Sequence, residues 1–355
     1  MMNWFMEFFF DSTFSHWAWS IPMGITDVLD EFFDRLTGRS RPPAYYRSWQ
    51  DLTPPPYPLP DLDHDLPIKT SKADICGTYL VTLLFSYVPV EQITATLKEG
   101  LHIKAENVLP DGTHPVIYMF GYTENLHRVW DHMRGPSYLE YAVGVPNLYI
   151  DGTEGYLGPF LYLPVLHLNR LYPTFIGRLA GYRKFLSRMK TTENTYEIKT
   201  LFRGRPMVSA TFEPMGEIET PPHESYLDRW QGLLGQPNAN PYLFGQMLFL
   251  HYHWGWNFSR IQPVNANVKL EMDMPTLPRG DYKWKAIGTA AFAVTGQVPE
   301  GAFRCSIPFE LLPPFSRNKL KPMVPMRPHG IPPHPKPAGS AVTPAAAAAA
   351  ETSGQ

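Results

Sequence analysis

The stretch GRLAGYRKFL, Gly177 to Leu186, sets one lysine, Lys184, between Arg183 and Phe185, just after a long apolar and aromatic run. A lysine amine in water is protonated at neutral pH and cannot attack a carbonyl, so a nucleophilic lysine needs a neighbouring cation or an apolar pocket to lower its pKa. Arg183 and Phe185 are residues of those two types. Half-neutrality at pH 7 requires a fall from about 10.4, a differential cost of roughly 4.6 kcal/mol, more than one exposed charge provides. On an extended strand Arg183 and Lys184 point to opposite faces. Burial by Phe185, Tyr182 and the upstream LGPFLYL run is therefore the stronger lever.

Other reactive residue types are weaker leads. LHYHWGWNF puts His251 and His253 on one face of a strand, a spacing that metal sites use, but no nearby carboxylate or cysteine completes a ligand set. The reading is no metal, and an aromatic strand whose histidines face a cavity or a subunit contact. His127 and His132 do not share a helix face cleanly, and Arg279-Gly280-Asp281 reads as a turn. No phosphate-cradling loop, dinucleotide-type glycine fingerprint or serine nucleophile elbow occurs.

The elements that must position Lys184 belong to a chain of 355 residues, 44% hydrophobic, enough for a sizeable core. Lys and Arg total 31 against 33 Asp and Glu, which argues against a nucleic-acid partner. Two distant cysteines, Cys76 and Cys305, make neither a disulfide framework nor a zinc motif and favour a reduced, cytoplasmic setting. The aromatic start MMNWFMEFFF lacks the basic flank of a signal peptide and the length of a bilayer span. Val28, Leu29, Phe32, Phe33 and Leu36 recur at helical steps up to Gly38, so residues 1–38 read as an aromatic arm with an amphipathic helix, a face for a second subunit, a partner or a membrane surface. Residues 39–72 are a proline-rich linker and residues 316–355 a proline- and alanine-rich disordered tail, which leaves 73–315 as the folded domain.

Within it, TYLVTLLFSYV, VNANVKLEMDMP and GTAAFAVTG read as strands, and NTYEIKTLFRGRPMVSATFE as a hairpin around Arg-Gly-Arg-Pro. Helices are expected only in PVEQITATLKEG, TENLHRVWDHM and SYLDRWQGLLG. The fold class is α+β, dominated by β.

The run SYLEYAVGVPNLYIDGTEGYLGPFLYLPVLHLNRLYPTFIGRLAGYRKFL resembles the core of the acetoacetate decarboxylase superfamily. Tyr138, Glu140, Val145 and Pro146 fall on that family's tyrosine, glutamate and isoleucine-proline, and Gly177 and Arg178 on its Gly-Arg. Tyr182 and Lys184 fall on its aromatic residue and first lysine, and the likeness runs over residues 77 to 315. The chain departs at Leu179, where the family has a glutamate, at Arg183 in place of a proline, and at Phe185 in place of a second lysine. Tyr79 stands where an active-site arginine is expected.

The resemblance implies a mostly antiparallel sheet closing into a barrel around a buried pocket, in a homo-oligomer. It implies a cofactor-independent carboxy-lyase acting on a β-keto or related keto acid through a Schiff base. Lys184 and Glu140 would be catalytic, with Tyr138, Arg178, Tyr182, Arg183 and Phe185 around the substrate. The departures leave a second expectation, a non-catalytic protein of the same fold that binds a keto-acid or apolar ligand or serves in assembly.

Overall fold

The computed structural model describes residues 75–128, 137–151, 159–179, 181–217, 233–241, 247–255, 260–288 and 300–316. The expected arm 1–38, linker 39–72 and tail beyond 316 lie outside the described residues. In chain order the elements are β1 (Ile75–Pro89), α1 (Val90–Thr94), β2 (Leu101–His102), β3 (Thr113–Arg128), β4 (Tyr138–Ile150), β5 (Phe160–Leu168), α2 (Leu171–Leu179) and β6 (Lys184–Thr192). There follow β7 (Thr195–Thr200), β8 (Pro206–Pro214), β9 (Asn238–Pro241), β10 (Met247–Trp254), β11 (Arg260–Leu270), β12 (Gly280–Trp284) and β13 (Gly301–Ser316).

All thirteen strands join one sheet, in the order β12-β11-β8-β7-β6-β5-β9-β10-β13-β1-β3-β4-β2. Two further pairings, β11 with β13 and β5 with β4, close it on itself. The first ring so formed has nine strands: β1, β3, β4, β5, β6, β7, β8, β11 and β13. A second ring runs through β9 and β10 and shares β13, β1, β3, β4 and β5 with the first. Pairings are antiparallel except β5 with β6 and β5 with β9.

The shared strands are buried on both faces, which is why they read as near-continuous apolar runs rather than as alternation. Side chains on successive residues still point opposite ways. From β3 and β4, Tyr118, Phe120, Tyr141 and Val143 enter the core of the nine-stranded ring. Ile117, Met119, Tyr138 and Ala142 enter a separate core on the other face. The candidate site lies in this second core.

The expected hairpin is β7 and β8, with Gly204 at φ +59° and its N–H donating to Thr200 O in the connecting turn. The helices differ from expectation. TENLHRVWDHM is not helical where it is described: β3 runs through Arg128, paired with β1 from Thr113 to the strand's end. Long-range pairing there overrides the local period. PVEQITATLKEG holds only the five residues of α1, and SYLDRWQGLLG falls mostly outside the described residues. Helix α2 carries Pro173, a residue type that breaks a helix interior. It sits in the first turn, where no intrahelical N–H is lost. Among the described residues no helix is long and apolar enough to cross a membrane.

Candidate active site

The site is organised by the passage from α2 into β6. Gly181, at φ +86°, donates its N–H to Arg178 O, and Tyr182 N–H reaches back to Gly177 O. This pair of bonds around a left-handed glycine is the Schellman stop. It folds the chain back so that Lys184, the first residue of β6, lies over the end of the helix. A Cβ on Gly177 would stand 2.2 Å from Lys184 Cδ and 2.8 Å from Nζ, so the lysine occupies the space that the missing side chain leaves. Arg178 Nε donates to Lys184 O at 2.6 Å and fixes the backbone of the same residue.

Lys184 is 6% exposed. Its Nζ lies 5.4 Å from the ring centre of Tyr182 and 6.0 Å from that of Tyr138. Burial holds the amine below its ordinary pKa, with the negative charge of Glu140 opposing. Burial likewise raises Glu140 above the usual carboxylate range, against the Lys184 charge and a hydrogen bond from Tyr79. Desolvation therefore pushes both partners towards their neutral forms, an amine with a free lone pair beside a carboxylic acid.

Glu140 is paired in register with Gly121 on β3 and Leu168 on β5. Tyr79 on β1 donates its hydroxyl to Glu140 Oε1 at 3.2 Å. Its ring fits because Gly121 has no side chain: a Cβ there would lie 2.3 Å from the hydroxyl oxygen. Tyr79 also tilts against Trp254, with ring centres 5.8 Å apart. These groups border a cavity of about 40 Å³, to which Tyr79, Thr123, Tyr138, Glu140, Asn238 and Tyr252 bring the polar atoms. Its remaining described wall is apolar, with Leu161, Leu163, Trp254 and Phe309 among it. Lys184 is not among the described residues that line it.

Of the residues singled out in the sequence, Lys184, Glu140, Tyr138 and Tyr182 come together here. Arg178, Arg183 and Phe185 are not brought to the cavity. Arg178 holds the Lys184 backbone, and Arg183 is exposed, its charge acting on the Tyr162 hydroxyl. Phe185 stacks on His167 at 5.4 Å, on the side of the nine-stranded ring. Lys184 is thus desolvated by the second core and its tyrosines, without Phe185. On β10 it is Tyr252 and Trp254 that face the cavity, while the buried His251 takes the alternate position. Asn238 and Gly121 went unread: an asparagine between prolines looks like a turn residue, and a glycine in a strand marks close approach without naming what approaches.

The chain resembles acetoacetate decarboxylase in structure. A solved acetoacetate decarboxylase overlays with a TM-score of 0.43 at 12% identity, over 75% of this chain and 97% of that one. The acetoacetate decarboxylase of Legionella pneumophila subsp. pneumophila str. Philadelphia 1 gives 0.42 at 12% identity, over 76% and 93%. The enduracididine biosynthesis enzyme MppR, complexed with pyruvate, gives 0.43 at 11% identity, over 70% and 91%. No family model matches the sequence, and no curated protein matches it.

Proposed function

We propose that this protein is an acetoacetate decarboxylase-like enzyme that forms an imine between Lys184 and the carbonyl of a small keto compound. The observation that carries the reading is the amine of Lys184, desolvated over Gly177 with a raised-pKa carboxyl, Glu140, acting on it. The neutral amine adds its lone pair to the carbonyl carbon, and a proton passes from the resulting ammonium nitrogen to the oxygen to give a carbinolamine. Glu140 then gives its proton to the departing hydroxyl, so water leaves and an iminium remains opposite the Glu140 carboxylate. With a β-keto acid the bond to the carboxylate breaks next, carbon dioxide departs, and its electron pair passes into an enamine. A proton from solvent at carbon restores an iminium, and addition of water, whose proton returns to Glu140, releases the ketone and the free amine. None of these steps calls on a cofactor.

A second reading is a binding protein that kept the pocket without the reaction. It is favoured by Lys184 lying outside the described lining of the cavity. Borohydride reduction separates the two. Incubation with keto compounds and borohydride should leave a reduced adduct on the Lys184 peptide by mass spectrometry, absent from Lys184→Ala. A folded protein that binds these compounds yet shows no adduct would be the binding protein.

A further inference from the structure

We infer that the cavity takes a small, uncharged carbonyl compound carrying a hydrogen-bond donor, of the hydroxyketone type, in preference to a keto acid. The inference rests on the imine reading of Lys184 and names the substrate class of that same site. It follows from what the wall offers. Among the described lining residues the one ionisable carboxyl is Glu140, and no lysine, arginine or histidine is present. A substrate carboxylate would give up water for a largely apolar chamber in which no described cation receives it.

The tyrosine hydroxyls of the described wall each have a protein partner. Tyr79 gives its hydroxyl to Glu140, Tyr138 is hydrogen-bonded to Thr123, and Tyr252 to Tyr182. One acceptor of the wall does not. Asn238 is 2% exposed, and its Nδ2 donates to the Tyr182 hydroxyl at 2.9 Å. That bond fixes the amide, and its Oδ1 is left without a protein partner. A buried acceptor of this kind gains most from a ligand that brings an O–H and gains nothing from a second acceptor. Asn238 is thereby a specificity-determining residue, reading the donor of the ligand.

The test uses three ketones of nearly equal size with the full chain: hydroxyacetone, butanone and pyruvate. Each is incubated and reduced with borohydride, and the Lys184 adduct is quantified; saturation-transfer NMR follows binding of the same three without reduction. Hydroxyacetone should label Lys184 at least about tenfold more than pyruvate, with butanone between them. In Asn238→Leu the ratio of hydroxyacetone to butanone labelling should fall to about one, whatever the absolute labelling of either. The wild-type ranking stands alone if that variant does not fold. Pyruvate labelling equal to or above hydroxyacetone would overturn the inference and leave the imine reading intact. Absence of any adduct would end the imine reading instead. The NMR ranking then decides: hydroxyacetone bound over pyruvate upholds the selectivity, and equal binding, or none, overturns it.

Discussion

Gly177 and Lys184 are a matched pair, and Gly121 and Tyr79 are another, but the two pairs answer differently to the same change. A methyl at Gly177 meets Lys184 Cδ, Cε and Nζ, the far end of a flexible side chain that can swing away. Replacing a helical glycine by alanine also gains up to about 1 kcal/mol of helix propensity. Gly177→Ala should therefore leave stability equal or higher while displacing the amine, so that Lys184 labelling by keto compounds falls steeply. At Gly121 the methyl meets the rigid ring of Tyr79 at 2.3–2.4 Å. Gly121→Ala should lose about 1–3 kcal/mol in urea unfolding, the usual cost of overpacking a core. If Gly177→Ala is labelled as the wild type is, Lys184 does not depend on the slot and its placement here is wrong.

The elements that hold these residues are pinned at their ends rather than along their length. The entry to β9 is fixed by a reciprocal pair: Asn147 N–H donates to Gln236 Oε1 at 2.8 Å, and Gln236 Nε2 to Asn147 Oδ1 at 2.7 Å. Asn147 has φ +57°, at a break in the β4–β5 register, so Gln236 secures an irregular point of β4 and sets Asn238 two residues on. Gln236→Leu strands a buried N–H and a buried carbonyl, each worth about 1–3 kcal/mol. Its urea midpoint should drop accordingly, and a change confined to the surface scale of a few tenths would refute the pinning role. The sequence made the strands legible wherever apolar and β-branched residues ran together, as in TYLVTLLFSYV, and it made Lys184 and Glu140 legible through their spacing from Gly177, Arg178 and Pro146. Adjacency to Lys184 along the chain does not place Phe185 beside the amine, and the match of Arg178 to a Gly-Arg element does not place it at the cavity. A strand starting at Lys184 sends Phe185 to the opposite core. Asn238 reaches the site through a parallel pairing of β9 with Leu161, a contact that no local pattern encodes.

At the scale of the whole molecule, closing one sheet into two rings buries titratable groups in both cores, and their pH responses oppose. His167 lies inside the nine-stranded ring between Tyr141 and Phe185, with Nδ1 2.8 Å from Ser187 Oγ, and burial pulls its pKa from 6.5 to about 4. His114 is lowered in the same sense by burial, opposed by its bonds to the carbonyls of Pro146 and Asn107. Above pH 6.5 neither state of His167 holds the extra proton and the group contributes nothing. As the pH falls through 6.5 the unfolded chain takes up a proton that the folded chain refuses until about 4, so stability is lost across that window. The full shift corresponds to about 3 kcal/mol. Glu140 runs the other way: raised above 4.5, it holds its proton in the folded chain while the unfolded one is still ionised, so acidification towards 4.5 favours folding. Because the two contributions oppose, the His167 share is read as the difference between the wild type and His167→Phe in urea midpoint from pH 6.5 to 4. His167→Phe keeps a ring against Phe185 and removes the titration, so its midpoint should fall less over the same interval. Equal slopes in the two proteins, or an NMR titration of His167 centred near 6.5, would mean that water reaches the imidazole and that the nine-stranded ring is open on that side.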